Sequence, residues 1–306
     1  MQKAVLMGPF IGEMGWELLR FAPMLPYMKT KKYKGQNVKF IVFTRPERFD
    51  LYGVWADTLV PLRLKGDYHN YKPECFRAIG FSAKTYNKLA ESFRKQFSAK
   101  YNIIEHIYPK ITKPAYLNKN QYPQKIMIYD YRPRKSNRIL VGKYVPNDKP
   151  VVVLGPRFRK GFRRNWPHWQ KFYSILSANS WLVNNFHFVI CGKEPEYVPD
   201  ERQRFFDINS IERHENSSLI GLTIETIRRS MLVVGSQSAI PNVGMILRVE
   251  VLEWGNEPRE HTKTYNVFNT KVNFITDKFY KTPPEAIIKD MTKILKRKLK
   301  EGAKNE

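Results

Sequence analysis

Cysteine is scarce in this sequence, which holds only Cys75 and Cys191 and has no Cys-x-x-Cys pair. This argues against a disulfide framework and a structural zinc site, and predicts a reducing, cytoplasmic setting. No apolar run approaches the roughly 18 residues that span a bilayer. The short apolar run after Lys3 does not have the form of a signal peptide. We therefore expect a globular protein without a transmembrane segment.

Acidic residues are also few. The 306 residues include 28 Asp and Glu against 53 Lys and Arg, which gives a formal charge of +25. A field of this size concentrates anionic partners such as nucleic acid, an anionic membrane surface or phosphorylated substrates, whereas an enzyme of small metabolites does not need it. A basic, solubilising surface is the alternative interpretation. The 42 % apolar share is enough for a packed core and argues against global disorder.

The common cofactor signatures are missing as well. The sequence has no G-x-G-x-x-G fingerprint and no P-loop Gly-Lys-Ser/Thr. It has no Asp-x-Asp pair, and its six histidines lack metal-ligand spacing, although His168 lies beside a basic loop. We predict no resident cofactor and no metal.

What the sequence does contain is a repeated alternation of apolar strands and amphipathic helices. Several strands end in Gly directly before a turn and a helix, a pattern typical of parallel sheets covered on both faces. A segment rich in Pro, Asn and Asp, 144–149, separates the two halves. The predicted fold is α/β, with two facing Rossmann-like domains at 1–145 and 146–282 and a basic C-terminal helix at 283–306. The clearest predicted elements are strands 3–7, 38–44, 150–155, 185–192, 231–236 and 248–255 and helices 17–28, 169–176, 220–231, 241–247 and 284–300.

One segment, 84–143, combines cations with aromatic rings and is called the basic–aromatic segment below. It holds 14 Lys or Arg against 3 acids, interleaved with Tyr and Phe. On a nucleic-acid surface Lys and Arg neutralise phosphates while rings stack on bases. The segment therefore predicts a polyanion-binding surface, with Arg132, Arg134 and Lys135 as acceptor contacts. The alternative is that the rings belong to the core and the lysines are solvated.

The strongest motif, VVVLGPRFRKGFRRNWPHW, covers 151–169. A strand ends at Gly155, a cationic loop follows, and Trp166-Pro167 begins a helix. In parallel α/β sheets ligands bind beyond the carboxyl ends of strands, and cations beside a helix start suit a pyrophosphate. A solvated basic loop is the alternative. The cations of the loop are Arg157, Arg159, Lys160, Arg163 and Arg164.

A second strand end carries small polar residues. In VVGSQSAIPNVGMIL, 233–247, the residues Ser236, Gln237 and Ser238 offer hydroxyls, an amide and backbone N–H groups to a phosphate or ribose. The next strand ends in Glu253, Trp254 and Gly255. An acid at a strand end can accept ribose hydroxyls, and a solvated or ion-paired Glu is the equal alternative.

Taken in order, these motifs over 150–256 resemble the donor domain of GT-B glycosyltransferases and are most similar to the heptosyltransferase-like group. The family's Asp-Thr-Gly…His signature falls on Gln237, Ser238, Ala239 and Asn242, so the Asp and the His are replaced. The resemblance implies a nucleotide-sugar co-substrate, such as a UDP- or GDP-sugar. It implies donor binding by Gly155, Arg157, Arg163, Arg164, Trp166, Ser236, Gln237, Ser238, Asn242 and Glu253.

The N-terminal turn GPFIGEMGWE, 8–17, carries two acids at a helix start. They either favour the helix dipole or supply a catalytic base. In the resembled family a Gly–acid pair after the first strand supplies the general base, and a Pro follows some residues on. The pair selects Glu13, while the spacing to Pro23 selects Glu17. Gly12 and Trp16 are the predicted acceptor contacts around them.

We therefore predict a glycosyltransferase that moves a sugar to a polyanionic acceptor by metal-independent displacement. The +25 charge and the basic–aromatic segment favour DNA as the acceptor. The resemblance favours hydroxymethylated bases in it, because phage enzymes that glycosylate such DNA have this architecture and this kind of charge. One alternative is the same chemistry on an envelope glycan or lipid, with the C-terminal helix lying on a membrane surface. Another is a nucleic-acid-binding protein without catalysis.

Overall fold

The structure, a computed structural model, describes residues 1–10, 15, 17–62, 83–108, 111–112, 116–117, 127–132, 134–157, 165–192, 204–212 and 217–302. The chain forms two compact units, Met1–Arg134 and Lys135–Glu306. The boundary comes before the predicted linker because the helix Lys135–Tyr144 packs against Leu219–Arg229 within the second unit.

Unit 1 is built on a four-stranded parallel sheet in the order β3-β2-β1-β4. The central strands β1 and β2 are apolar on both faces, as expected where helices cover a parallel sheet. The predicted helix 17–28 is a run of short helical turns that continues to Lys32. The elements are β1 (Lys3–Met7), a π-helical turn (Glu17–Phe21), α1 (Met24–Tyr27), a second π-helical turn (Met28–Lys32), β2 (Val38–Thr44), two 3-10 turns (Pro46–Leu51 and Gly53–Trp55), β3 (Thr58–Pro61), α2 (Ala83–Ser98), β4 (Asn102–Ile107), β5 (Ile111–Thr112) and β6 (Tyr116–Leu117).

The described rings of the basic–aromatic segment belong to the core of unit 1, which corrects their assignment to a base-stacking surface. Tyr86 is fully buried. Phe93 and Phe97 of α2 pack on Phe43 of β2, with ring centroids 4.4 and 5.2 Å apart. Tyr131 is buried and donates its hydroxyl to the carbonyl of Leu18. The lysines of α2 are exposed, so the helix presents its charge to solvent and its rings to the core.

Unit 2 contains a six-stranded parallel sheet in the order β12-β11-β10-β7-β8-β9. β12 and β9 are strands that the sequence pattern did not predict. The elements are α3 (Lys135–Tyr144), β7 (Val151–Gly155), α4 (Trp169–Ala178), α5 (Ser180–Asn185), β8 (His187–Ile190), β9 (Phe205–Asp207), a 3-10 turn (Ile208–Ser210), α6 (Leu219–Arg229), β10 (Ser230–Ser236), α7 (Ala239–Ile246), β11 (Val251–Gly255), a π-helical turn (Glu260–Thr264), β12 (Val272–Thr276) and α8 (Pro284–Gly302).

The C-terminal helix α8 is an integral part of unit 2. Its apolar side chains, among them Ile287, Met291 and Leu295, are buried in the same core as Trp166, Trp169 and Trp254. This face is therefore not available to insert into a membrane, which counts against the interfacial-anchor alternative. Within the described ranges no helix combines the length and the apolar composition of a membrane span. The predicted fold class, two α/β domains with parallel sheets and a C-terminal helix, is confirmed.

Candidate functional site

The candidate donor site lies at the carboxyl edge of the unit 2 sheet. β7 and β10 pair in parallel so that Gly155 and Gly235 are opposite each other, and Gly235 is in turn opposite Glu253 of β11. The predicted donor residues on these three strands are thereby brought to one edge. Parallel α/β folds bind ligands at this edge because loops and helix starts converge there.

Two glycines at this edge allow close packing of α7. A Cβ on Gly155 would lie 2.8 Å from Ile240, and a Cβ on Gly235 would lie 3.0 Å from the carbonyl oxygen of Gly155. The glycines therefore bring the start of α7 directly onto the ends of β7 and β10. Gly155 therefore contributes to the candidate site indirectly, by allowing the first turn of α7 to lie close to the end of β7.

Gln237 is the centre of the hydrogen bonding at the edge. Its side-chain oxygen accepts from the backbone N–H of Asn256 (2.9 Å) and from the hydroxyl of Tyr280 (2.7 Å). Its backbone carbonyl oxygen accepts from Nη1 of Arg157 (2.6 Å). Gly255 leaves the room that the Gln237 amide occupies. Gln237 therefore connects the loops after β7, β11 and β12. Its side-chain oxygen is used in these contacts and does not face solvent.

Four polar atoms of the β10–α7 turn have no hydrogen-bond partner within the described part of the chain. They are Ser236 Oγ, Gln237 Nε2, Ser238 Oγ and Asn242 Oδ1, and all four are shielded from solvent. Ser238 is the N-cap residue of α7, yet its hydroxyl does not cap the helix. Since buried polar atoms normally have partners, a cluster without them is a site for a polar ligand or bound water.

Two further predicted donor residues, Trp166 and Glu253, are fully buried. Trp166 is fully buried among Trp169 and Trp254 and donates Nε1 to the carbonyl of Thr282 (2.9 Å), so it is a core residue. Glu253 is also fully buried, and its Oε1 lies 2.8 Å from Nδ1 of His261 without the alignment of a hydrogen bond. Burial raises the pKa of Glu253. Glu253 is thus not solvated, but neither of its carboxylate oxygens has a hydrogen-bond partner within the described part of the chain, and the predicted ribose contact stays a prediction.

In unit 1, Glu17 is completely enclosed at the carboxyl edge of the sheet. Oε1 accepts from Thr44 Oγ1 (2.7 Å) and from the hydroxyl of Tyr52 (2.6 Å), and Oε2 accepts from Nη1 of Arg48. Arg48 is itself buried. Burial and the neighbouring carboxylate raise the pKa of Tyr52 well above its ordinary value, which keeps it a donor. In this arrangement three side-chain donors surround the carboxylate of Glu17, which has no exposed surface among the described residues.

The three predicted acceptor cations differ in their surroundings. Arg134 forms a two-point ion pair with the fully buried Asp50, through Nε (2.9 Å) and Nη2 (3.0 Å), so it fastens the end of unit 1. Arg132 is exposed and pairs with Asp130 (2.7 Å). Lys135 is exposed at the start of α3 in unit 2. Arg134 is therefore committed to a structural contact, and Arg132 and Lys135 stay predictions.

Several predicted site residues lie outside the described residues: Gly12, Glu13, Trp16, Arg163 and Arg164. The structure leaves the predictions for them untested. No group of three or more His, Cys, Asp or Glu that could hold a metal occurs among the residues that the structure describes.

Sequence reasoning missed the residues that hold the two sites together. Tyr280 and Asn256 fix Gln237, and Thr44, Arg48 and Tyr52 enclose Glu17. The second group carried a signal, because Thr44 ends an apolar strand and Arg48 and Tyr52 follow it closely, and polar residues at the carboxyl ends of parallel strands are typical of sites. Tyr280 had no comparable signal, since its role depends on the folded path of the loop after β12.

No protein-family model and no curated protein matches the sequence. Solved structures do match its fold over nearly the whole chain. E. coli ADP-heptose lps heptosyltransferase II is 12 % identical, with a TM-score of 0.58 over 97 % of this chain and 99 % of that chain. The glycosyl transferase family 9 structure from Veillonella parvula DSM 2008 is 11 % identical, with a TM-score of 0.59 over 97 % of both chains. E. coli heptosyltransferase WaaC with ADP is 10 % identical, with a TM-score of 0.51 over 96 % of this chain and 100 % of that chain. The chain therefore has the GT-B fold, as the motifs predicted.

Proposed function

We propose that this protein is a glycosyltransferase that moves a sugar from a nucleotide-sugar to a hydroxyl of a polyanionic acceptor. The observation that carries the proposal is the β10–α7 turn, where four shielded polar atoms that have no partner among the described residues meet the start of an eight-residue helix. Backbone N–H groups and hydroxyls at a helix start favour a phosphate. The solved structures of the same fold include one with ADP, which supports a nucleoside diphosphate as the ligand.

The proposed donor site combines this turn with the cationic loop after β7. Arg163 and Arg164 hold the pyrophosphate by charge and two-point hydrogen bonding, while Arg157 is fixed against the carbonyl of Gln237. The acceptor oxygen attacks the anomeric carbon, and the bond from that carbon to the phosphate oxygen breaks. The electron pair leaves with the nucleoside diphosphate, whose charge the cations stabilise. The proton of the acceptor hydroxyl goes to Glu13, the base in this proposal.

Changing Arg163 and Arg164 together to Ala should weaken the binding of ADP, UDP or GDP by at least about tenfold, because charge-assisted contacts to the phosphates are lost. Isothermal titration calorimetry with each nucleotide measures the affinity and identifies the preferred nucleobase of the donor. The control replaces the exposed Lys31 and Lys34 of unit 1 by Ala, which removes the same charge. Equal affinity in both variants would remove the donor site from this loop.

For the acceptor we propose DNA with hydroxymethylated bases, on the strength of the +25 charge. The experiment incubates the protein with a panel of nucleotide-sugars and such DNA, followed by digestion to nucleosides and mass spectrometry. A hexose or pentose mass gain on the modified base supports the proposal. Salt-sensitive DNA binding without nucleotide binding would identify a binding protein instead of an enzyme.

We propose that the displacement needs no metal. The sequence lacks an Asp-x-Asp pair that would hold a divalent ion on the pyrophosphate. Sugar transfer should therefore proceed at an unchanged rate in excess EDTA. Loss of transfer in EDTA and its recovery with Mg²⁺ or Mn²⁺ would contradict this.

A further inference from the structure

The exposed face of α8 carries a straight row of lysines, called the lysine stripe: Lys289, Lys293, Lys296 and Lys300. All four are exposed, and their spacing of four, three and four residues puts them on one side of the helix. At about 1.5 Å of rise per residue the stripe is about 16 Å long. The opposite face of α8 is packed in the core of unit 2.

The basic residues of α8 fall into two groups with different tasks. Arg297 and Lys298 turn toward the buried Glu250, with contacts of 2.6 and 3.4 Å, and so serve the fold. Within the described part of the chain, Lys289, Lys293 and Lys300 take part in no ion pair. Lys296 lies over the ring of Trp181, 5.1 Å from its centroid. The contacts of the fold therefore account for Lys296 but not for Lys289, Lys293 and Lys300, and like charges in adjacent turns repel one another.

An aromatic ring, that of Phe279, lies on the loop between β12 and α8. Phe279 is 66 % exposed and lies between the exposed Lys278 and Lys281. The loop is held firmly, since Asp277 accepts from the N–H groups of Phe279 and Thr282 and the neighbouring Tyr280 is buried with its hydroxyl on Gln237. Phe279 is thus displayed by a fixed loop at the sheet edge that carries the candidate donor site.

We propose that the lysine stripe and Phe279 bind a nucleic-acid strand, with phosphates along α8 and a base stacked on Phe279. A single line of cations is complementary to a linear polyanion, and an exposed ring beside cations is what single strands stack on. A bilayer contact is disfavoured because the described exposed side chains of α8 itself are charged, which leaves Phe279 as the apolar side chain of this surface, whereas interfacial helices present a whole apolar face. The inference rests on the proposed polyanionic acceptor and moves its contact surface from the basic–aromatic segment to unit 2.

The test titrates the full-length protein into a labelled single-stranded oligonucleotide at several salt concentrations, followed by fluorescence anisotropy. Lys289, Lys293 and Lys300 are changed together to Gln, and the matched control changes the exposed Lys3, Lys31 and Lys34 to Gln. If all three stripe residues contact phosphates, the slope of log K against log salt should become shallower by about 2. The control should keep the wild-type slope. Phe279→Ala should weaken binding about tenfold with the slope unchanged, and Phe279→Trp should restore it.

Three results would overturn the inference. The first is that the stripe and control variants show the same affinity and the same salt slope. The second is that a variant with Lys84, Lys88 and Lys95 of α2 changed to Gln loses affinity while the stripe variant does not, which would assign the contact to unit 1. The stripe variant could lose binding to vesicles of phosphatidylserine and phosphatidylcholine while keeping the oligonucleotide, which would make the stripe a membrane contact. Calorimetry with nucleotides separates the two proposals, because failure of the glycosyltransferase appears there and leaves the oligonucleotide titration unchanged.

Discussion

Glu13→Gln should lower kcat by at least about a hundredfold and leave donor binding unchanged. The amide keeps the shape of the side chain but cannot take the proton of the acceptor hydroxyl, and general-base catalysis contributes about 10²–10⁴ in rate. Initial rates of sugar transfer and calorimetry with the nucleotide measure the two quantities. Donor affinity should persist because the proposed donor contacts belong to unit 2.

Thermal stability distinguishes this loss from a general disturbance. Removing one charge near a helix start costs only about 0.3–1 kcal/mol of unfolding free energy, so the melting temperature of Glu13→Gln should stay close to that of the wild type. Glu13→Asp, which keeps a carboxylate on a shorter side chain, should retain part of the activity. Full activity in Glu13→Gln would show that Glu13 is not the general base.

The strands at the centres of the two sheets were predictable because their residues are apolar on both faces and turns follow them. β2 begins and ends where the apolar run 38–44 does, and β10 was placed within one residue. β12, with the sequence VNFIT, is an edge strand and half-buried, so its pattern mixes polar and apolar residues and gave no signal. Where two strands of a sheet differ in burial, the sequence reports the buried one.

The basic–aromatic segment shows how composition can conceal a packing pattern. Tyr86, Ala90, Phe93 and Phe97 follow the four-three-four spacing of one helical face, which indicates a core-facing helix. Counting rings and cations together hid that periodicity and favoured a stacking surface. The lysine stripe of α8 has the same four-three-four spacing, but on the exposed face of its helix. There the helical period places the charges on one side and the buried apolar residues on the other.

Most of the candidate site depended on contacts that no local pattern encodes. Gln237 was predicted to contact the donor. Its side-chain oxygen accepts from Asn256 and Tyr280, which follow other strands, and only its Nε2 is left for a ligand. Glu253 was an even choice between a ribose contact and a solvated or paired acid, and the burial that excludes solvation was not visible in the sequence. Residues at strand ends can be selected from the sequence, whereas the direction of each side chain follows from tertiary packing.

Glu17→Gln should destabilise unit 1 by about 3–5 kcal/mol, since it removes the buried carboxylate that pairs with the buried Arg48. Differential scanning calorimetry should show a lower melting temperature, by about 2–8 °C for each kcal/mol lost. A double variant, Glu17→Gln with Arg48→Met, should recover part of the loss, because the buried positive charge is removed as well.

The same substitution tests the proposed role of Glu17 beside Glu13. Before Glu13 in the chain, the N–H group of Gly8 donates to the carbonyl of Ile107 (2.7 Å), and the hydroxyl of Tyr86 donates to the carbonyl of Pro9. After it, Glu17 accepts from Thr44 at the end of β2 and from Arg48 and Tyr52. We therefore propose that Glu13 is the base and that Glu17 acts by positioning. Below the melting transition Glu17→Gln should lower kcat less than Glu13→Gln does, and the double variant with Arg48→Met should regain stability without regaining the full kcat. If Glu17→Gln melts like the wild type but abolishes turnover, Glu17 is the base and the spacing to Pro23 was the better guide.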